Sequence, residues 1–184
     1  VIRPFLLNEK EQIDAPEVVA NNLINANIKD KDYKFSIGAN LENCTGCGLC
    51  SEVCPGKAGA KAIIMKARDE LKRLKKDEEY KYLFNEVSHK EDVMPTNTVK
   101  GSQFKKPKFE FPGACAGCGE TPYLKLLTQL FGDKMMIANA TGCSSIYGAS
   151  MPSMPYSVPW ANSLFEDNAE FGYGMKIADE TIKR

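Results

Sequence analysis

The sequence predicts a mixed chain, α+β in its first part and α/β in its last, and three observations carry that reading. The cysteines fall into two groups, Cys44 to Cys54 and Cys115 to Cys143. Between the groups, residues 66–111 are polar and hold no cysteine. After Phe111 the pattern becomes a glycine-rich loop, a helix with an apolar stripe, a short apolar run and a second loop, which is the order of an α/β unit. The expected organisation is a domain over 1–65, a polar linker or strap over 66–111, and part of a second domain over 112–184.

Each element has a local reason. Pro16 to Ile24 starts a short helix with proline in its first turn. Tyr33 to Ile37 alternates as a strand does and leads into the first cysteine group, and Ala62 to Met65 reads as a second short strand. From Ala67 to Phe84, Leu71, Leu74, Tyr82 and Leu83 stand among Lys and Glu at helical spacings, as in a solvated helix or linker. Met94 to Phe111 contains Pro95, Gly101 and Pro107 and reads as an extended strap. Thr121 is the expected N-cap of the next helix, with Pro122 at its first position. Leu124, Leu127, Leu130 and Phe131 form that helix's stripe, and Gly132-Asp133 ends it. Met135 to Ala138 is the expected buried strand, with Met135 and Met136 in the core. The loop Thr141 to Ser145 lies at its carboxyl end, where open α/β sheets bind ligands.

Composition narrows the class. The 184 residues are 43% hydrophobic and 26% charged, and 24 basic residues balance 24 acidic ones. This zero net charge offers no electrostatic attraction for nucleic acid or an anionic membrane. No apolar run reaches bilayer-spanning length, and no signal-peptide pattern opens the chain. Val1-Ile2-Arg3-Pro4, without an initiator Met, reads like the interior of a longer polypeptide. Seven clustered cysteines, five of them in Cys-x-x-Cys spacings, favour metal binding over a disulfide framework. The expected compartment is therefore reducing, the cytoplasm or an anaerobic organelle such as a hydrogenosome.

The run Cys44-x2-Cys47-x2-Cys50-x3-Cys54-Pro55 is the spacing with which bacterial ferredoxins hold a 4Fe–4S cluster. Thiolates are the natural ligands of such clusters. Gly46 and Gly48 allow the positive φ angles that a tight wrap requires. A zinc knuckle is the competing reading, but zinc sites pair two separated Cys-x2-Cys units. In two-cluster ferredoxins the fourth cysteine of the run ligates the other cluster. Cys44, Cys47 and Cys50 are thus expected on one cluster and Cys54 on a second, whose remaining ligands would precede Val1. Cys115-x2-Cys118 alone also fits a thioredoxin-type pair. Cys143, in a second glycine loop, turns the set into a metal site short of one ligand.

Longer strings carry a resemblance. Val99-Lys100-Gly101-Ser102-Gln103-Phe104, Gly113 to Tyr123 with its two cysteines, Ala140 to Ser145, and Trp160 to Gly172 resemble pyruvate:ferredoxin (flavodoxin) oxidoreductase. The resemblance covers nearly the whole chain and implies an internal segment, running from just after a first ferredoxin motif into a thiamine-diphosphate-binding domain. It implies a ferredoxin-like section joined by a linker to part of that α/β domain. The activity implied is oxidative decarboxylation of pyruvate with coenzyme A to acetyl-CoA and CO2. The implied electron route runs through three 4Fe–4S clusters to ferredoxin or flavodoxin. By position, Cys115, Cys118 and Cys143 would ligate the cluster beside the cofactor, with the fourth ligand elsewhere. Glu120 and the loop at Cys143 would contact thiamine diphosphate. The Mg2+ ligands and the substrate pocket match nothing in this chain, and the segment alone would be inactive. The rest of the parent polypeptide and a second copy, making a homodimer, are the implied partners. Met151 to Pro159 departs from the family's usual polar turn.

Two rivals are a pure electron-transfer module, including one from another 2-oxoacid oxidoreductase, and a zinc-stabilised structural domain. Other features read plainly. His89 is expected on the surface, and Lys72, Arg73, Lys75 and Lys76 on a solvated face. Trp160, Phe165, Phe171 and Tyr173 are expected in core or inter-domain packing. Glu166, Asp167 and Glu170 are expected as helix-start charges in preference to an acid/base set.

Overall fold

The computed structural model describes residues 1–28, 31–149, 160–163 and 167–183. They divide into two units, Val1–Lys105 and Lys106–Arg184.

The first unit opens with strand β1 (Ile2–Leu7), helices α1 (Glu9–Ile13) and α2 (Glu17–Ala20), and strands β2 (Ile24–Asn25) and β3 (Lys34–Ala39). The strands form an antiparallel sheet in the order β1-β3-β2. Ile2 stands opposite Ala39, Leu7 opposite Lys34, and Ile24 opposite Phe35. β3 falls where the alternation places it. β1 has no alternation to betray it, because Phe5, Leu6 and Leu7 are all buried, and a continuous apolar run does not by its period distinguish strand from helix. Asn8 and Glu11 close a capping box at α1, each side chain accepting from the other's backbone N–H at 2.9 Å. Pro16 is the N-cap of α2, one position before the helix.

After the short α3 (Leu49–Glu52), residues 62–65 are not a strand. Ile64 and Met65 are exposed there, and no described strand pairs with the segment. The Ala62 and Ile63 amides instead hydrogen-bond Cys54. Helix α4 (Arg68–Arg73) follows, then α5 (Lys76–Lys81), broken from it by Lys75 at φ 54°. A π-helical turn, Tyr82–Glu86, continues α5. This stretch, expected as a solvated linker, supplies core. Leu83 and Val87 are buried with Phe5, Leu7 and Val19. Phe84 meets Phe5 edge-on at 5.1 Å and Tyr80 at 5.3 Å, and the Arg3 guanidinium lies 5.3 Å from the Phe84 ring centre. Its exposed charges, Lys72, Arg73 and Lys75, are solvated as expected, and His89 is exposed.

One ion pair ties this stretch to α1. Lys90 Nζ donates to both Glu11 carboxylate oxygens at 2.8 Å, with side-chain exposures of only 8% and 12%. The Ser88 amide and hydroxyl donate to the same carboxylate at 2.9 and 2.8 Å. Burial pushes the Glu11 carboxyl up, but hydrogen bonds from Lys90, the Asn8 amide and Ser88 outweigh it and hold the group low. The expected strap is interrupted by helix α6 (Val99–Ser102), capped by Thr98, whose hydroxyl accepts from Gly101 N–H at 3.0 Å.

The second unit carries α7 (Thr121–Phe131), β4 (Ile137–Ala140), α8 (Cys143–Ala149), β5 (Trp160–Ser163) and α9 (Asn168–Ile182). β4 and β5 pair in parallel, Ile137 opposite Trp160 and Ala140 opposite Ser163. Both α8 and α9 pack on β4. The core joins Phe109 to Tyr147 edge-on at 5.8 Å, with Ala114, Leu124, Met135 and Ile137 around them.

Several expectations shift here. The N-cap of α7 is Glu120, so Thr121 and Pro122 are its first and second residues. Of the stripe only Leu124 packs on this core, while Leu127, Leu130 and Phe131 are exposed and Thr128 and Gln129 are buried. The helix is rotated so that the Thr128 hydroxyl accepts from Lys108 N–H at 3.2 Å and donates to the Lys125 carbonyl at 2.8 Å. Met136 is 38% exposed, against the core expected for it, while Tyr173 is 67% exposed and so outside this unit's core, and Phe171 is half-buried. Asp167 is the N-cap of α9 and Glu170 lies in its first turn, as expected of helix-start charges. Met151 to Pro159, Phe165 and Glu166 lie outside the described residues, as does the side chain of Trp160.

Candidate metal centre

The first cysteine loop begins where β3 ends. Asn40 is 4% exposed. Its side-chain oxygen accepts from the Asn43 amide at 3.0 Å and from Asn43 Nδ2 at 3.2 Å, closing the turn that delivers Cys44. The turn is braced from α4 and α5. Arg68 Nη1 donates to the Leu41 carbonyl at 2.8 Å. The Tyr80 hydroxyl donates to Glu42 Oε2 at 3.2 Å and accepts from Asn40 Nδ2 at 3.4 Å. Burial, then the Glu42 carboxylate, push the Tyr80 hydroxyl up, so it keeps its proton at neutral pH.

Gly46 and Gly48 adopt φ of 69° and 79°, the left-handed region in which a side chain is strained. Gly48 is the N-cap of α3, so Cys50 lies in that helix's first turn, and Cys54 follows the C-cap Val53. Amide hydrogen bonds from Ile63, Ala62 and Gly56, with Lys61 nearby, lower the Cys54 thiol from its ordinary value. Cys44 and Cys47 are exposed, Cys50 and Cys54 half-buried, and all are free thiols. The irregular segment around Ala62, missed as a strand, is thus the amide shell of the fourth cysteine.

In the second unit, Cys115 and Cys118 stand on the loop before α7, where the Cys118 amide donates to the Cys115 carbonyl at 3.0 Å around Gly117, at φ 73°. Cys143 is the first residue of α8, just beyond the carboxyl end of β4. The Ser145 hydroxyl accepts from Gly142 N–H at 2.9 Å and fixes that turn. Glu120 is exposed beside Cys118, and its side chain makes no cap bond to α7. Among the described residues no three Cys, His, Asp or Glu side chains converge on one ion.

The donor set of the first loop fits an iron–sulfur cluster. It offers four free thiols in the ferredoxin spacing, glycines already in the left-handed region, and amides on the Cys54 sulfur. Residues 38–58 match the family model described as a 4Fe-4S binding domain. Fold and domain match together define a mixed α/β chain that carries a 4Fe-4S binding domain. The chain is 50% identical over 96% of its length to pyruvate:ferredoxin oxidoreductase of Moorella thermoacetica. It is 45% identical over 100% of its length to the pyruvate-flavodoxin oxidoreductase of Klebsiella pneumoniae. A pyruvate dehydrogenase [NADP(+)] of Cryptosporidium parvum is 46% identical over 96% of the chain. By sequence the chain is similar to one stretch of the pyruvate:ferredoxin and pyruvate-flavodoxin oxidoreductases. It spans 15% and 16% of the length of the first two relatives and 9% of the third. No helix among the described residues is long and apolar enough to cross a membrane.

Proposed function

We propose that this chain is the stretch of a pyruvate oxidoreductase that joins an electron-transfer section to the start of a thiamine-diphosphate-binding domain. The reaction is pyruvate + coenzyme A → acetyl-CoA + CO2 + H+ + two electrons, and ferredoxin or flavodoxin takes the electrons. The observation that carries this reading is identity of 45–50% along essentially the whole chain to enzymes so named, together with cysteine loops on two separate units.

Roles follow from position. Cys44, Cys47 and Cys50 hold one 4Fe–4S cluster, and Cys54 reaches a second whose other ligands come from outside this chain. Cys115, Cys118 and Cys143 hold a third, and Glu120 contacts thiamine diphosphate. That cofactor, when bound, supplies the carbanion chemistry by which a 2-oxo acid loses CO2. The chain's own contribution is placement: one loop carries Cys115, Cys118 and Glu120, so a one-electron acceptor and the cofactor contact share a single backbone segment. Mg2+, the substrate pocket and the homodimer contacts belong to the remainder of the polypeptide, and the setting is cytoplasmic or an anaerobic organelle.

The test is EPR of the anaerobically purified full-length protein. Pyruvate with coenzyme A should produce reduced-cluster signals as dithionite does. Signals with dithionite but never with pyruvate and coenzyme A would leave only an electron-transfer module of another 2-oxoacid enzyme. A colourless zinc protein would end both readings.

A further inference from the structure

We propose that Arg68 and Tyr80 are positioning residues for Cys44, the first cluster ligand, because they tie down both sides of the turn that carries it; this rests on the cluster reading of the first loop. The loop after β3 has few internal restraints. Cys44 and its neighbours Thr45, Gly46 and Cys47 are exposed, and a side chain on Gly46 or Gly48 would touch nothing within 4 Å. Loop packing therefore does not fix where Cys44 begins. What fixes it is the turn Asn40–Asn43. Inside, the Asn40 side chain closes the turn onto Asn43. Outside, Arg68 holds the Leu41 carbonyl at 2.8 Å, and the Tyr80 hydroxyl bridges Asn40 and Glu42.

The brace is anchored where the unit is firm. The Tyr80 ring meets Phe84 at a tilt, 5.3 Å between ring centres, and Phe84 lies edge-on to Phe5 against the core that also holds Leu83. A chain of contacts thus runs from the buried core through Phe84 and Tyr80 to Asn40 and Glu42, and through Asn40 to Asn43, the residue before the first thiolate. Outer groups that orient a metal ligand typically govern metal retention by 10- to 100-fold. Releasing the brace should loosen Cys44 selectively and make the iron at that corner the first to leave.

The experiment uses the full-length protein purified with its clusters under anaerobic conditions. Tyr80→Phe keeps the ring on Phe84 and removes only the hydroxyl bonds. Arg68→Ala removes the other tie, and Arg68→Lys tests whether a cation alone restores it. Lys66→Gln is the control, since the Lys66 ammonium pairs with Glu70 on the same segment and not with a residue of the turn. The readouts are iron release to a ferrous chelator and the EPR of the oxidised protein, where loss of one iron from a four-iron cluster leaves a paramagnetic three-iron species. Tyr80→Phe and Arg68→Ala should each release iron about 10-fold faster and show the three-iron signal, Arg68→Lys should be intermediate, and Lys66→Gln should match the parent. If the variants lower only the melting temperature, with iron release and EPR unchanged, the brace is merely structural and the proposal fails. If Arg68→Ala does not fold, Tyr80→Phe decides alone. If the parent protein shows no cluster signal at all, the reading of the first loop fails, and with it the proposal.

Discussion

Gly48 shows how a single residue sets the site. Its φ of 79° lets the chain turn from Cys47 into α3 and so places Cys50 in a helical first turn. Gly48→Ala meets no steric neighbour, so its whole cost is conformational, about 1–2 kcal/mol. The expected result is lower iron per chain after anaerobic reconstitution with only a small fall in melting temperature. Gly101 makes the opposite case. A Cβ there would lie 2.0 Å from the Pro95 carbonyl oxygen, so Gly101→Ala should displace the α6 turn at a cost of about 1–3 kcal/mol. Thermal unfolding checks this, and cluster content should not change. The sequence shows both glycines, but only Gly48 announces its purpose, because it stands inside a cysteine run. The need for Gly101 comes from a backbone oxygen six residues earlier, a contact no local pattern encodes.

Among the elements, α5 and the turn after it carry the first unit. Leu83 is fully buried, and Leu83→Ala should cost about 2–5 kcal/mol, measurable as a lower denaturant midpoint. The Glu11–Lys90 pair gives the same packing a pH dependence. Glu11 is held below its ordinary value of 4.5 in the folded state. Its contribution is therefore complete above that value and is lost as pH falls through the lower folded one. Melting temperature should drop with acid in that window, and Glu11→Gln should flatten the drop. Lys90→Ala, which leaves the half-buried Glu11 carboxylate with only its Asn8 and Ser88 donors, should cost about 1–3 kcal/mol at neutral pH. The capping signature Asn8-x-x-Glu11 is readable in the sequence. Its second use, as the partner of a lysine 79 residues onward, is not, since charge pairing over that distance depends on how the folded segments pack together. The same limit explains α7. Its apolar period is plain, yet the Thr128 hydroxyl, by capturing the Lys108 amide, turns most of that stripe away from this unit's core.

At the scale of the molecule the two cysteine groups separate cleanly, one per unit. This predicts independent losses. On the proposed function, Cys115→Ser in the full-length protein should abolish cluster reduction by pyruvate with coenzyme A while dithionite still reduces the clusters assigned to the first loop. Cys47→Ser should do the reverse to that loop's own signal. EPR spectra of the two variants under both reductants check the assignment, and loss of every signal in either one would show the sites to be interdependent.

The sequence by itself determined the first loop's 4Fe-4S domain match: thiolate spacing and the glycines within it are local properties, fixed by covalent order and by which ligands iron prefers. It also determined β3 and the α/β order of the last section, because periodicity is local. Only the tertiary structure decided that residues 66–105 are core and brace in place of linker. It also decided that the Ala62 and Ile63 amides serve Cys54, and that Arg68 and Tyr80 reach back to the turn before Cys44. Those roles depend on which surfaces meet after folding, and burial between segments far apart in sequence leaves no periodic mark on either of them.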